Sequence, residues 1–122
     1  MAWILVFSCL RCQMSQPPTI TEVVSADTAI LNDGSKIHYA GLVGPTSGSP
    51  WFDFCRDANA YLVHHKAVHL VWENPDRQDG TKAAYVYTPI LVGQETKYLF
   101  VNAELVKFGF AKAMPIPKEC QH

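Results

Sequence analysis

The sequence lacks several features that define specialised classes of protein. Its 122 residues contain no internal repeat and no low-complexity tract, and the net charge is only −1. A protein that binds phosphate backbones tightly is usually basic, because its affinity depends on many Lys and Arg contacts. The charge balance therefore counts against tight nucleic-acid binding, although it leaves room for a local basic patch.

No apolar run is long enough to cross a bilayer. Residues 1–10 are apolar, but a spanning helix needs about 20 such residues. The run also lacks the Lys or Arg that normally precedes the apolar region of a signal peptide. Two interpretations stay open: a signal remnant, in which Val6-Phe7-Ser8-Cys9 loosely resembles a lipoprotein cleavage site, or a tail that packs on the domain. Export and a cytoplasmic location are accordingly both open.

The four cysteines do not settle the redox compartment of the protein. Cys9 and Cys12 form a Cys-x-x-Cys pair that could bind a metal or cycle between redox states. No second pair completes a tetrahedral zinc site and no βαβ pattern surrounds the first, so we interpret these residues as incidental cysteines in a tail. Cys55 falls in a predicted helix and is expected in the core. Cys120 could meet either tail cysteine only if the termini converge.

What is present is the composition of one globular domain. The chain is 48% hydrophobic and 17% charged, and it is long enough to bury a core without metal or disulfide staples. Pro17 and Pro18 disfavour helix and indicate a linker. We therefore expect a tail, or signal remnant, and linker over residues 1–18, one domain over residues 19–114, and a C-terminal tail over residues 115–122.

Strand-like and helical patterns follow one another along this domain. Three strands joined by tight turns form a meander, and two more strands follow a helix. The five strands are predicted over residues 19–25, 29–31, 36–43, 68–72 and 83–91. A short second helix over residues 102–108 is stopped by Gly109. This order predicts an α+β fold, mainly β: an OB-type five-stranded barrel with a helix between strands 3 and 4 and a short helix after strand 5.

The longer helix has its own start signal. Ser49 is a predicted N-cap and Pro50 a predicted first helical residue, and the helix is expected to end near Lys66. Apolar residues recur at helical spacing and predict the buried face. They are Trp51, Cys55, Ala58 and Leu62, with Phe54 and Tyr61 beside them.

Four blocks of sequence carry a more specific signal. They are Ser25-Ala26-Asp27-Thr28-Ala29-Ile30-Leu31, His38-Tyr39-Ala40-Gly41-Leu42-Val43-Gly44-Pro45-Thr46, Ala84-Tyr85-Val86-Tyr87 and Val101-Asn102-Ala103-Glu104-Leu105-Val106-Lys107-Phe108-Gly109-Phe110-Ala111. In this order they resemble the thermonuclease (staphylococcal nuclease-like) domain family over residues 19–113. The last block is the most specific. The resemblance implies the same OB-type barrel, whereas function has to be judged from the site.

The resemblance also implies where a nuclease site would lie. Family members that cut nucleic acid use a calcium ion held by two aspartates, a glutamate that activates water, and two arginines that stabilise the phosphate. Asp27 and Val43 occupy the two aspartate positions, and Thr46 occupies the position of the glutamate. His38 occupies the first arginine position, and Thr81 or Lys82 occupies the second. Asp27 alone keeps a residue of the family type. Its alternative role is an Asx turn before Thr28.

The departures are large enough to decide about activity. Loss of a general base costs about 10²–10⁴ in rate, and loss of an electrostatic donor costs about 10²–10³. Val43 has no oxygen ligand to offer, and His38 lacks the planar fork of an arginine. We therefore expect no activity of the family's kind and no cofactor. Calcium is the metal expected if any activity is retained.

The histidines offer a rival site. His64, His65 and His69, with His38 from another strand, could bind zinc or another transition metal. His65 and His69 would face one way only if one helix ran through both, and the predicted helix ends between them. We interpret them as surface histidines. A new hydrolytic site built on His38 and Asp27 is a further alternative.

Two functions of different classes follow. The first is a catalytically degenerate domain that acts as a binding or interaction module, with single-stranded nucleic acid or a protein or peptide as partner. Candidate aromatic platforms for a single strand are Tyr39, Trp51, Trp72, Tyr85 and Tyr87, most of them expected to pack in the core. The alternative is a weak or altered metal-dependent nuclease that uses Asp27, His38 and Lys82.

Overall fold

The computed structural model describes residues 17–73 and 82–114. The expectations about residues 1–16, about Cys9, Cys12 and Cys120, and about the tail over residues 115–122 lie outside these ranges. No helix within the described ranges has the length and apolar character that crossing a membrane requires.

The described residues form an α+β fold that is mainly β, as predicted. Its elements in chain order are β1 (Ile20–Ser25), β2 (Thr28–Leu31), β3 (Lys36–Tyr39), β4 (Leu42–Val43), α1 (Phe52–Val63), β5 (His69–Trp72), β6 (Lys82–Val92), β7 (Glu95–Phe100), α2 (Val101–Lys107) and β8 (Lys112–Ala113). The two helices lie close to their predicted positions.

Six of the strands form one mixed sheet. Its order is β1-β2-β3-β6-β5, and β7 pairs with β6. Strands β3 and β6 run parallel, and the other neighbours in this sheet are antiparallel. Strands β4 and β8 form a separate antiparallel pair.

The start of β1 is also tied to the segment that leads into β5. Thr19 and Ala67 form an antiparallel bridge. The N–H of Ile20 donates to the carbonyl of Lys66 at 3.0 Å, and the N–H of Val68 donates to the carbonyl of Pro18 at 2.9 Å. Backbone hydrogen bonds therefore join the start of β1 to the residues between α1 and β5.

The core lies between the sheet and the two helices. Side chains that are almost completely buried come from strands and helices alike, and they include Ile20, Ile37, Tyr39, Leu42, Val63, Val86, Val101 and Leu105. Complete burial of one large apolar side chain stabilises a fold by about 1.5–3 kcal/mol. Cys55 belongs to this buried set, which confirms its predicted place in the core.

Two strand predictions need correction. The strand predicted over residues 36–43 is broken at Gly41, which has φ +78°, so that β4 leaves the main sheet and pairs with β8. Strand β7 was not predicted, and the main sheet therefore has six strands instead of five. The hairpin of β6 and β7 is exposed on both faces from Pro89 to Tyr98, so its sequence carries no alternation of buried and exposed positions.

The start of helix α1 also differs from its prediction. The helix begins at Phe52, and Ser49 acts one turn earlier, where its Oγ accepts a hydrogen bond from the N–H of Trp51 at 3.1 Å. The helix ends at Val63, and His65 follows in the left-handed region with φ +62°.

The predicted buried face of α1 is only partly correct: Cys55 is buried as expected, and Leu62 is partly buried against the core. The buried residues are Cys55, Asn59 and Val63, whereas Trp51 and Tyr61 are 65% and 84% exposed. Asn59 points inward on this face, and both its side-chain oxygen and its side-chain nitrogen are hydrogen-bonded there. An apolar count along the sequence cannot find a helix face that is centred on an asparagine.

Candidate functional site

The turn between β1 and β2 places Asp27 against the loop that follows β4. Its Oδ1 accepts hydrogen bonds from the hydroxyls of Ser25 at 2.6 Å and Thr28 at 2.9 Å. Its Oδ2 accepts a hydrogen bond from the backbone N–H of Gly44 at 2.9 Å. The half-buried carboxylate is therefore held by three donors of the chain itself.

These donors set the charge state of the carboxylate. Partial burial acts to raise the pKa of Asp27, but the hydrogen bonds from Gly44, Ser25 and Thr28, helped by the nearby His38, outweigh burial and hold the pKa below its usual value. Hydrogen bonds to the ionised form favour that form. Asp27 is therefore a carboxylate at neutral pH.

Gly44 can reach Asp27 because it has no side chain. A Cβ at Gly44 would lie 2.8 Å from the Cβ of Ala26, closer than real side chains approach one another. The close contact brings the loop after β4 onto the β1–β2 turn. Sequence reasoning missed the roles of Gly44, Ser25 and Thr28, although all three lie inside the two blocks that carry the resemblance.

The other predicted site positions surround this turn without supplying its chemistry. Val43 is 45% exposed in β4 and offers only hydrocarbon, and Thr46 lies exposed in the following loop. His38 in β3 pairs with Thr28 in β2, and it acts electrostatically on Asp27. Lys82 begins β6 opposite Ile37, one position from His38, and Thr81 lies outside the described residues.

These residues do not fit a calcium site. Calcium takes six to eight oxygen ligands. The Asp27 carboxylate already accepts three hydrogen bonds, Val43 carries no oxygen in its side chain, and Thr46 contributes at most a neutral hydroxyl.

The histidines do not assemble into the rival site. His64 and His65 stack on each other with ring centroids 3.7 Å apart, beyond the end of α1. His69 lies in β5 and packs against Tyr87 and Tyr98. Within residues 17–73 and 82–114, no three His, Cys, Asp or Glu side chains are grouped so that they could hold a metal ion.

The candidate aromatic platforms fall into three kinds. Tyr39 is completely buried and its hydroxyl donates to Oδ1 of Asn59 at 2.8 Å, so its prediction as a platform is wrong. Tyr85 and Tyr87 are half-buried and pack on Phe100, with Tyr87 stacked on that ring at 4.8 Å.

The two tryptophan platforms are accessible. Trp51 is 65% and Trp72 is 48% exposed, and Nζ of Lys82 lies 5.9 Å from the Trp72 ring centroid. One exposed ring with one nearby cation is therefore present where β5 meets β6.

Two buried asparagines hold the surroundings of the site together. Nδ2 of Asn59 donates to the carbonyl of Ser25 at 2.9 Å, which ties helix α1 to the strand before Asp27. Oδ1 of Asn102 accepts the N–H of Val86 at 2.9 Å, and its Nδ2 donates to the carbonyl of Ala40 at 2.8 Å. Asn102 belongs to the most specific block of the resemblance, and its role here is structural.

An open cleft runs along the two helices. Two connected depressions of about 670 and 440 Å³ share the side chains of Phe54, Phe108 and Phe110 as lining. We call this surface the helical cleft. Trp51 lines one end of it and Tyr61 with Leu62 lines the other. Phe54 and Phe108 are 62% and 63% exposed, which is unusual for phenylalanine.

Comparison with known proteins does not assign the chain to a family. No family model matches the chain, and no curated protein matches it.

Proposed function

We propose that the chain is a catalytically degenerate domain of the thermonuclease type that acts as an interaction module. The observation that carries the proposal is the state of Asp27. Its carboxylate is bound by Ser25, Thr28 and Gly44, and Val43 occupies the position where a second ligand would be needed. The remaining acidic group thus stabilises the turn instead of holding a metal.

The proposal includes an OB-type barrel as the scaffold. Two observations support it: the strand order β1-β2-β3-β6-β5, and the backbone hydrogen bonds that join the start of β1 to the segment before β5. A sheet whose first and last strands meet has the connectivity of a closed barrel. The helix before β5 and the short helix after β7 agree with the same arrangement.

A polypeptide is the partner class that we favour. Binding of single strands requires a basic groove in addition to stacking platforms, and the Trp72 platform described above has Lys82 as its nearby cation. The tip of the β6–β7 hairpin is apolar instead: Ile90, Leu91 and Val92 are 39%, 76% and 49% exposed. An extended hairpin with an apolar tip is suited to strand addition by a peptide.

A nuclease and binding assay tests the proposal. The purified chain is incubated with fluorescent single- and double-stranded DNA and RNA, with Ca²⁺, Mg²⁺, Mn²⁺ and Zn²⁺ in turn, and binding is followed over a salt titration. We expect no cleavage with any metal. We also expect no binding at physiological salt, because few phosphates can be neutralised by this surface.

Matched variants separate true activity from contamination. Asp27→Ala and Lys82→Ala alter the degenerate site, whereas Asp33→Ala alters an exposed aspartate in the next turn. Trace cleavage that is equal in all variants comes from a contaminant. Cleavage that is lost in Asp27→Ala and kept in Asp33→Ala overturns the proposal. Salt-sensitive binding that is lost in Trp72→Ala would replace polypeptide by nucleic acid as the partner class.

A further inference from the structure

We propose that the apolar N-terminal segment, residues 1–10, docks on the helical cleft of its own chain. The occupant is thus a part of the same molecule. The proposal rests on the lining of the cleft, on the place where the chain leaves the described domain, and on the length and chemistry of the segment.

The lining of the cleft is suited to an apolar occupant. Phe54 and Phe108 are more than half exposed, and the ring of Phe110 lies 5.6 Å from that of Phe54. Trp51 and Tyr61 extend the same surface to the two ends of α1. A contiguous aromatic surface of this kind on a small domain marks a contact site, because exposure of large apolar patches is unfavourable in water.

The chain leaves the described domain beside one end of this cleft. The carbonyl of Pro18 accepts the N–H of Val68, and the N–H of Ile20 donates to the carbonyl of Lys66. Both partners follow directly after α1, so residue 17 lies close to the C-terminal end of that helix. Leu62, in the last turn of α1, is therefore the part of the cleft nearest to the departing chain.

The segment is long enough to cover the cleft. From Leu62 to Phe54 the surface follows eight residues of helix, or about 12 Å at 1.5 Å per residue. Residues 11–16 can bridge up to about 20 Å when extended. Residues 1–10 then measure about 15 Å as a helix and about 33 Å as an extended chain, so either conformation reaches Phe54.

The chemistry of the segment matches the lining. Met-Ala-Trp-Ile-Leu-Val-Phe-Ser-Cys-Leu contains no charged side chain. Arg11 follows the segment directly, and the half of the cleft near Leu62 includes Glu104 and Asp57, of which Asp57 already pairs with Arg56 at 3.2 Å. A docked segment would bring Arg11 towards the end of the cleft that Glu104 lines.

A double-mutant cycle on the chain tests the docking. The first change is deletion of residues 1–10 and the second is Phe54→Ser, each alone and then together, with urea unfolding as the measurement. In the full chain, Phe54→Ser should reduce the folding equilibrium constant about tenfold, because a buried phenylalanine is lost. In the truncated chain the same substitution should have a much smaller effect, because Phe54 is then 62% exposed and keeps only partial packing, including its contact with Phe110.

A control residue distinguishes docking from a general effect. Leu91 is 76% exposed on the β6–β7 hairpin, away from the cleft, and Leu91→Ser should leave the midpoint unchanged in both chains. An equal effect of Phe54→Ser in both chains overturns the proposal. So does a mature chain that mass spectrometry finds cleaved within residues 1–10.

A second measurement does not depend on folding of the truncated chain. In the full chain with Trp51→Phe and Trp72→Phe, Trp3 is the remaining tryptophan. We expect Trp3 to be shielded from acrylamide quenching, and Phe54→Ser to raise quenching to that of a free indole. Shielding that disappears on dilution, together with a dimer in sedimentation, overturns docking in the same chain and assigns the cleft to a second copy. Trp3 that is unshielded from the start also overturns it.

Discussion

The backbone N–H of Gly44 donates to Oδ2 of Asp27 at 2.9 Å across 17 residues of sequence. This bond joins the β1–β2 turn to the loop after β4, and the hydroxyls of Ser25 and Thr28 hold the other carboxylate oxygen. The Asp27 carboxylate thus connects the β1–β2 turn to the loop after β4 through hydrogen bonds. A substitution at Asp27 should therefore change the free energy of unfolding.

Removal of the Asp27 carboxylate should destabilise the fold. Asp27→Ala leaves the N–H of Gly44 and two hydroxyls without their acceptor, and loss of such a partner costs about 1–3 kcal/mol. Urea unfolding at neutral pH measures the change in the free energy of unfolding. Asp33→Ala, in an exposed turn, is the control and should cost less. Equal losses in the two variants would contradict the role assigned to Asp27.

The same carboxylate should make stability depend on pH in the acidic range. The pKa of Asp27 is lower in the folded chain than in the unfolded chain, where it lies near its usual value of about 3.9. As pH falls, the unfolded chain therefore takes up the proton first. The contribution is complete above about pH 5 and is lost as pH falls through the folded pKa.

Substitution by asparagine should remove this part of the pH profile. The free energy of unfolding of Asp27→Asn, measured from pH 7 to pH 3, should fall less steeply below about pH 5 than that of the unchanged chain. Hydrogen bonds from Ser35 also lower the pKa of Asp33, which titrates in the same window. Asp33→Asn therefore serves as the comparison. If the pH dependence of the free energy of unfolding in Asp27→Asn equals that of the unchanged chain, the prediction is wrong.

A methyl group at Gly44 should destabilise the contact between the loop after β4 and the β1–β2 turn. Gly44→Ala places a Cβ 2.8 Å from the Cβ of Ala26, and relief of such overpacking costs about 1–3 kcal/mol. Gly48→Ala is the matched control, because an added Cβ there meets no atom within 4 Å. Thermal unfolding of both variants gives the comparison. Adding Ala26→Gly to Gly44→Ala should restore part of the loss, and an absence of any rescue would show that the contact is not the cause.

Removal of the Asn102 side chain should lower the free energy of unfolding about as much as truncation of a large core residue. Asn102→Ala leaves the N–H of Val86 unsatisfied in the core, and an unpaired buried donor costs about 1–3 kcal/mol. The exposed Gln94→Ala is a control in the turn of the β6–β7 hairpin. Amide hydrogen exchange at Val86 supplies a local readout: exchange should accelerate in Asn102→Ala, and protection that stays at the level of the unchanged chain would contradict this account.

Periodicity predicted those parts of the fold in which one side of an element is buried. The strands β1, β2 and β5, the hairpin with Gly34 at φ +86°, and both helices follow from apolar spacing and turn residues. Strand β7 could not be found in this way, because four of its six residues are exposed and its pattern has no buried face. The prediction of the buried face of α1 was partly wrong for the opposite reason, because the polar Asn59 is buried on that face.

The contacts around Asp27 could not be predicted from the sequence. The block around Asp27 and the block around Val43 and Thr46 meet where the N–H of Gly44 donates to Asp27. The use of the Asp27 carboxylate depends on the rotamers of Ser25 and Thr28 and on the close approach of Gly44 to Ala26. Those are properties of a packed structure, and no residue spacing specifies them.

The long span between Asn102 and Ala40 has a consequence for synthesis of the chain. Nδ2 of Asn102 donates to the carbonyl of Ala40, 62 residues earlier, and β3 gains its parallel neighbour only when β6 has been made. The β3 edge and the carbonyl of Ala40 therefore obtain these native partners only after β6 and α2 have been synthesised. The N-terminal half therefore reaches its native set of hydrogen bonds only after Asn102 has been synthesised.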